Sequence, residues 1–463
     1  MTTGAQIRVH DSLTNSVRTL EPREPDKVGL YVCGPTVYSR IHVGNARPYV
    51  VFALFKRLLQ HEGYEVTLVE NVTDINDKIY VAARERGVPS EQLALEMTEH
   101  YRADTDRLAL GRPDREPLAS ETVGEIIDLI KRLVERGHAY ASNGDVYFSV
   151  RGFDGYGKLS NRRLEDLEPS EQGEPEEDTA LKRDPLDFAL WKSHKPDEDT
   201  AWESPWGRGR PGWHIECSAM AETILGLDFE VHGGGSDLVF PHHENEIAQT
   251  EAGRGHPLAR MWMHNGMVRF EEEKMAKSVG NIALLADAPD RHGRDALVMY
   301  LLRGHYRQPL SYSDELVEDA ARAVERIANF ARMVGKGAAE EGPNPAVTGH
   351  RDAFFEALRD DFSTPRALAS LFDFVSEVNR TGVTADVEPA LREMLWVIGL
   401  EHLLKADEQV DEELLRLAAE REEARRARDF ERADRARDEL RERGYEVRDT
   451  PEGPELVPLR DSG

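Results

Sequence analysis

Near Ser313 the chain changes its hydropathy pattern, and that break constrains the fold more than any single motif. Before it, short strand-like runs alternate with helix-like ones. After it, helical periodicity alone persists almost to the end. Alternation of strand and helix builds βαβ units and a parallel sheet, whereas the later stretch can only pack helix against helix. The expected architecture is α/β, with a Rossmann-like parallel-sheet domain over residues 1–312 that carries an inserted connective segment at about 85–210. An all-α helical bundle over residues 313–405 and a small C-terminal module over residues 406–463 follow. At 463 residues the chain is too long for one compact core, which suits such a division.

Lys27 to Val32 is a β-rich run that ends in Cys33-Gly34-Pro35. Asn45 can cap a helix that carries Tyr49, Phe52, Phe55 and Leu58 on one face, and the Val-rich alternation of Tyr64 to Asn71 predicts the next parallel strand. Ser90 to Leu110 and Ser120 to Gly137 have helical period; Ala139 to Val150, with Asn143-Gly144 at its centre, predicts a hairpin. Arg163 to Asp187 is acidic and aperiodic, which predicts a mobile surface excursion. Strand and helix resume from Gly212 to about Arg303. Ser313 to Gly335 then predicts one long amphipathic helix, Lys336 to Gly349 a loop, and Arg351 to Asp360, Thr364 to Arg380 and Val387 to Leu400 further helices. Asp411 to Arg443 predicts a charged helical pair, and Tyr445 to Val457 a hairpin turning at Thr450-Pro451-Glu452-Gly453.

Composition narrows the possible functions. No run of 18 apolar residues occurs, and Met1 to Asp11 lacks the apolar centre of a signal peptide, so a cytoplasmic protein without a membrane partner is expected. The two cysteines, Cys33 and Cys217, cannot form a disulfide framework; ligand, catalyst and core filler are all open to them. The net charge of −28, from 87 acidic and 59 basic residues, opposes general nucleic-acid binding, which phosphate neutralisation drives. It predicts a halophilic-type acidic surface whose repulsion is screened by salt, with any nucleic-acid site confined to a local patch.

Three constellations carry chemistry. The first is Cys33-Gly34-Pro35-Thr36-Val37-Tyr38 with His42-Val43-Gly44-Asn45-Ala46-Arg47, where a strand hands over to a helix. That is the crevice in which open α/β sheets bind ligands, and helix-terminal amides favour phosphate there. Gly44 allows close approach of a base or ribose, while His42 and Asn45 supply donors; a tight turn with an incidental histidine is the plain alternative. The second is Lys274-Met275-Ala276-Lys277-Ser278, two mobile point charges suited to a triphosphate in a chain poor in lysine. The third is Trp213-His214-Ile215-Glu216-Cys217, then His232 to Asp237, then Pro241-His242-His243-Glu244-Asn245-Glu246. His242 and Glu246 share one face of a helix expected to start at Pro241, and with Cys33 and Cys217 they make a set suited to Zn²⁺. Spacing alone leaves a structural and a functional zinc equally open.

The first two constellations, read as His42-Val43-Gly44-Asn45 and Lys274-Met275-Ala276-Lys277-Ser278, resemble the His-Ile-Gly-His and Lys-Met-Ser-Lys-Ser signatures of class I aminoacyl-tRNA synthetases. Asn45 keeps a hydrogen-bond donor and Ala276 lacks a hydroxyl. Cys33 to Tyr38, Asn71 to Lys78, Gly212 to Met220, His232 to Asp237 and Pro241 to Gln249 are together similar to the cysteinyl-tRNA synthetase pattern, with Asn76 where that family more often has Asp. The resemblance spans Leu30 to Ser278, and the helical remainder fits the family's layout. It implies activation of cysteine by ATP with Mg²⁺ and transfer to tRNA(Cys). It further implies one Zn²⁺ held by Cys33, Cys217, His242 and Glu246, and a cysteine pocket lined by Thr73, Trp213 and His232. His42, Gly44, Asn45 and Lys277 bind ATP under this resemblance, and His42, Lys274 and Lys277 serve catalysis. A monomer is expected.

Two other readings compete. A cysteine ligase of the mycothiol-pathway type resembles the same core but lacks the long helical tail that follows Ser278 here. A zinc-stapled RNA-binding protein has no use for His42, Lys274 and Lys277. The charge gives a direct test: unscreened repulsion loosens the fold at low ionic strength, so the melting temperature should rise between low and molar KCl. A flat or falling melting curve across that series would remove the salt-adaptation reading.

Overall fold

The structure is a computed structural model that describes residues 6–168, 181–270, 283–336, 344–404, 412–427, 429–443, 445–450 and 453–458. The chain opens with a hairpin of β1 (Arg8–Asp11) and β2 (Ser16–Thr19). β3 (Lys27–Val32), α1 (Ala46–His61) and β4 (Glu65–Glu70) form a βαβ unit, with β3 and β4 paired in parallel. Helices α2 (Asp77–Arg86), α3 (Ser90–Asp106) and α4 (Val123–Glu135) lead into an antiparallel sheet of β5 (Ala139–Ser142), β6 (Asp145–Phe148), β7 (Phe188–Ser193) and β8 (Gly209–Pro211). Then α5 (Trp213–Leu225), β9 (Phe229–Gly235), α6 (Glu244–Arg254) and β10 (Ala259–Asn265) complete the central sheet, ordered β10-β9-β3-β4 with every pairing parallel.

Because side chains alternate along a strand, each face of this sheet has its own core. Val28, Leu30 and Val32 of β3 enter a core with α1, whereas Tyr31 and Cys33 enter a second core with α5, α6 and the inserted sheet. A parallel sheet covered on both faces is the stable arrangement for such strands. The chain runs from β3 outward to β4 and then returns past β3 to β9. Winding therefore reverses between β3 and β9, and the crevice at their carboxyl ends is a natural ligand site.

Short strands β11 (Val268–Phe270) and β12 (Leu310–Tyr312) pair in parallel, with helices Ala288–His292 and Arg294–Arg303 between them. Helices Asp314–Lys336, Pro345–Arg359, Thr364–Thr381 and Val387–Val397 share the α1-side core rather than building one of their own. Phe55 of α1 meets Phe362 edge-on at 5.4 Å, and Arg57 donates to the Trp396 carbonyl at 2.8 Å. Asp361 ties the N-terminal hairpin to the segment before β12, accepting from the His10 amide at 2.9 Å, the Tyr306 hydroxyl at 3.0 Å and Arg307 Nε at 3.0 Å. Helices Glu412–Arg426 and Phe430–Glu442, with the antiparallel pair Tyr445–Thr450 and Gly453–Pro458, pack a separate small core around Leu414, Ala418 and Leu440. No helix among the described residues is long and apolar enough to cross a membrane.

Three local expectations change. Asn45 does not cap α1: it has helical dihedrals itself, and its Oδ1 accepts from the His42 amide at 3.2 Å. The helix expected from Arg351 begins at Pro345, because proline's fixed φ suits a first helical turn. Of the expected excursion Arg163 to Asp187, residues 169–180 lie outside the described residues, but Asp187 is buried. It accepts from the Tyr140 hydroxyl at 2.6 Å and the Val150 amide at 3.0 Å.

Glu70, the last residue of β4, is buried and accepts from the Tyr101 hydroxyl; burial pushes its carboxyl up to about 7. Its folded pKa lies above the unfolded value, so the stability tied to it is full below about pH 4.5 and is lost as pH rises through 7. In Glu70→Gln the loss of unfolding free energy between pH 5 and pH 8 should shrink by about 1–3 kcal/mol in denaturant titrations. Equal pH slopes for both chains would rule this out.

Candidate active site and metal centre

Tyr31, His232 and Trp262 are register partners on β3, β9 and β10. Their rings form a row on the α5/α6 face: Tyr31 and His232 are 5.1 Å apart, and His232 stacks on Trp262 at 4.4 Å with planes 17° apart. Two residues beyond Tyr31, Cys33 stands on the same face. Cys217 approaches from α5 and Glu246 from α6. Cys33 Sγ lies 3.5 Å from Glu246 Oε1 and His242 Nε2 lies 3.2 Å from the same oxygen, while His232 Nε2 engages Oε2 at 2.8 Å. The ligand atoms of Cys33, Cys217, His242 and Glu246 all lie within 4.8 Å of one another and all four residues are buried. A second quartet shares Cys33 and Glu246 and adds His232 and His243.

Each donor is held from behind. Trp213 stacks on His242 at 4.3 Å, and His214 Nδ1 sits 3.0 Å from His242 Nδ1, leaving Nε2 toward the centre. His243 Nε2 reaches Cys33 Sγ at 3.3 Å, and its Nδ1 meets His264 Nε2 at 2.7 Å; His264 Nδ1 in turn meets Ser12 Oγ at 2.7 Å. The expected helix start at Pro241 moves to Glu244, since Phe240 is extended (φ −139°, ψ 133°) inside an irregular turn. The His242–Glu246 pairing survives that shift.

Burial dominates the electrostatics. It pushes the Cys33 thiol far up, assisted by Cys217 and Glu246, and raises the Cys217 thiol as well. Burial and neighbouring imidazoles push His242 and His243 far below the usual histidine range, and burial brings His264 to about 3. Thiols and imidazoles converging in this way are compatible with a divalent metal, whose charge stabilises the thiolate and neutral imidazole forms.

The second part of the site is the turn after β3. His42 precedes the short turn Val43–Asn45, and burial lowers its pKa; its Nδ1 has no partner among the described residues. A Cβ on Gly44 would lie 2.9 Å from the His42 ring, so only glycine leaves the ring that position. Lys274 and Lys277 lie outside the described residues. The flanks of their segment are held at this turn: Phe270 meets the His42 ring edge-on at 5.6 Å, and the Val43 amide donates to the Ala283 carbonyl at 2.9 Å.

Thr73 joins the two parts. Its amide donates to the Pro35 carbonyl at 3.1 Å, and its carbonyl accepts from the Val37 amide at 3.2 Å. Asn71, unassigned by sequence reasoning, pins the same loops: its Oδ1 accepts from the Gly34 amide at 3.0 Å and lies 3.6 Å from Cys217 Sγ, while its Nδ2 donates to Thr73 Oγ1 at 3.3 Å. His243, His264 and Glu216 were likewise unassigned. Glu216 is fully buried; burial, then Asp74, raises its pKa far above the usual carboxylate range, against a lowering hydrogen bond from Thr73.

The doubly wound parallel sheet thus carries a histidine-glycine turn and a thiol cluster at its carboxyl edge. Residues 19–322 match the family described as tRNA synthetases class I (C) catalytic domain, and residues 353–399 match the DALR domain. Among solved structures, Mycobacterium tuberculosis methionyl-tRNA synthetase in complex with methionyl-adenylate has a TM-score of 0.59 at 18% identity, covering 82% of this chain and 91% of that one. A ternary complex of Agrobacterium radiobacter LeuRS with tRNA and LeuAMS has a TM-score of 0.60 at 12% identity, covering 84% and 86%. Both bear on the fold alone. The class is therefore class I aminoacyl-tRNA synthetase. Within it, the cysteine–tRNA ligase of Halorhodospira halophila is 47% identical over 461 residues, covering 96% of this chain and 98% of its own length. That of Caldicellulosiruptor saccharolyticus is 42% identical over 469 residues, covering 98% and 100%. The chain belongs to the cysteine–tRNA ligase family.

Two glycines separate scaffold from chemistry. A Cβ at Gly34 would lie 1.8 Å from the Asn71 carbonyl oxygen, a backbone atom, whereas at Gly44 the obstacle is the movable His42 ring. Gly34→Ala should lower unfolding free energy by at least ~1–3 kcal/mol, and Gly44→Ala by less than about 1 kcal/mol. Urea titrations that rank the two variants in the opposite order would contradict this placement.

Proposed function

We propose that this chain activates cysteine with ATP to cysteinyl-adenylate and transfers it to the 3′ end of tRNA(Cys), reading the substrate thiol at a bound zinc ion. The observation that carries the reading is the juxtaposition, on one loop after β3, of a thiol-rich donor set beginning at Cys33 with a phosphate-type turn at His42. Cys33, Cys217, His242 and Glu246 would hold the zinc, since this quartet contains both thiols and a carboxylate and suits a metal of borderline softness. His232 and His243 then sit behind it, the former orienting Glu246 through Oε2. A bound Zn²⁺ supplies a coordination position that accepts a thiolate far better than serine's hydroxyl.

The chain's own groups account for the rest. Trp213 fixes His242, the Tyr31–His232–Trp262 row keeps water from the thiol end, and Thr73 closes the pocket toward Pro35 and Val37. In the first step a cysteine carboxylate oxygen attacks the α-phosphorus and the bond to pyrophosphate breaks. His42, the Gly44 amide and the Asn45 side-chain amide would take the α- and β-phosphates. Lys277, together with Lys274, would follow the charge that develops on the leaving group, and Mg²⁺ would offset charge on the nucleotide. In the second step a hydroxyl of the terminal ribose attacks the adenylate carbonyl and AMP leaves. The enzyme is read as a cytoplasmic monomer. The DALR match at residues 353–399 favours a tRNA acceptor over an amino sugar.

Cysteine should support ATP–pyrophosphate exchange and serine should not, with discrimination of about 10⁴ or more. Lys277→Ala should slow that exchange by roughly 10²–10³ with little change in cysteine affinity. Metal analysis of Cys217→Ala should find the zinc of the native chain lost or weakened. Exchange that is equal with serine, or a native chain free of zinc, would defeat the reading.

A further inference from the structure

Asn71 is fully buried and uncharged, and three groups of the crevice meet on its carboxamide. The parallel register pairs Tyr31 with Val69 and Val32 with Glu70, so Asn71, two residues beyond Val69, falls level with Cys33 on the thiol face of the sheet. The Gly34 amide can only donate. It therefore takes the carboxamide oxygen and decides which way the amide faces. The nitrogen is left for Thr73 Oγ1, to which Nδ2 donates at 3.3 Å. Thr73 accepts on that side, and its own hydrogen is turned away from Asn71, toward Glu216.

The Thr73 backbone is already clamped by the Pro35 carbonyl and the Val37 amide, so the one freedom left to this residue is rotation of a β-branched side chain. The Asn71 carboxamide takes that freedom away. It does so without adding charge beside the thiols, since its Oδ1 lies 3.6 Å from Cys217 Sγ, a place where a carboxylate would set a negative charge against sulfur. We propose that Asn71 is a positioning residue for the amino-acid substrate: it holds the Thr73 hydroxyl in one rotamer and one hydrogen-bonding sense, and cysteine affinity depends on that hold. Asn71 acts through Thr73 and not on the substrate itself. The proposal rests on the cysteine-activation reading above, in which Thr73 lines the pocket.

The test is cysteine-dependent ATP–pyrophosphate exchange by the full chain, with zinc content measured on every variant. Asn71→Asp has nearly the same volume and still accepts from Gly34, but it has no N–H for Thr73. It should raise KM for cysteine about 3–10-fold, the worth of one neutral hydrogen bond, with a far smaller change in KM for ATP and in kcat. Asn71→Ala, which adds no charge, should do the same, and it serves if the buried aspartate unfolds the chain. Thr73→Val keeps the shape, lacks the hydroxyl and should itself weaken cysteine binding. Added to Thr73→Val, either Asn71 variant should cost less than about a further twofold, because no hydroxyl remains to be positioned. A loss of equal size in both backgrounds would mean that Asn71 acts through the fold at large, and would overturn the proposal. So would an unchanged KM for cysteine, variants stripped of zinc, or a failure of both Asn71 variants to fold. A native chain without cysteine-dependent exchange would instead overturn the proposed function, so the two failures are distinguishable.

Discussion

The parallel pairing of β9 between β3 and β10 is the constraint on which the site depends. It places His232 level with Tyr31 on one side and Trp262 on the other. A slip of one residue would turn His232 toward α1 and bring Val231 to the thiols, since successive side chains face opposite ways. The α1 face opposes such a slip. A Cβ on Gly233 would lie 2.1 Å from the Phe52 ring, so α1 rests almost directly on the strand there and no larger residue could take that place. An imidazole buried without a partner costs about 1–3 kcal/mol. His232 avoids part of that cost through the hydrogen bond to Glu246, which also selects the carboxylate's orientation. One strand register therefore sets both the aromatic row and the orientation of the Glu246 carboxylate.

The crevice walls form one unit. Beyond their regular pairing, β3 and β4 continue to approach each other at Thr36 and Thr73, and Val72 bridges to Leu118. Asn71 closes this region from the interior by bonding the Gly34 amide while its carbonyl oxygen fills the space beside Gly34. The loop bearing Cys33 and the loop bearing Thr73 cannot shift independently. Any movement that displaced Cys33 would also displace Thr73.

Element type was legible wherever alternation or helical period ran unbroken, as in β3, β4, α1 and the helices after Ser313. Boundaries were less so, because Pro345 and Pro241 look alike in sequence yet one opens a helix and the other sits in an irregular turn. The inserted sheet showed only its first hairpin: β7 and β8 return from distant sequence to pair with β6, and nothing local marks that. At the site, residue types and spacing singled out the four donors the fold brings together. Both adjacent histidines reach the cluster, His242 beside Glu246 with Trp213 stacked on it and His243 beside Cys33 with His264 behind it, and sequence alone does not show this. Asn71 and Glu216 stood inside recognised motifs, but what surrounds them, Gly34 and Cys217 for Asn71 and Thr73 and Asp74 for Glu216, comes from other elements.

Charge is handled differently inside and outside. Arg210 is buried between Glu198, at 2.8 Å, and Asp77, so its guanidinium is balanced on the spot. Arg47 is buried too and instead spans carbonyls, donating to Gly266 at 2.5 Å and His305 at 3.1 Å; burial pulls its pKa down to about 10. Interior cations thus serve the fold and leave nothing for a polyanion. On the surface, a net charge of −28 repels nucleic acid at long range, and that repulsion fades as the screening length falls to about 3 Å in molar salt. The attraction gained by counterion release fades with it. Recognition of a polyanion by a surface of this composition must therefore work at contact, through shape and directed hydrogen bonds.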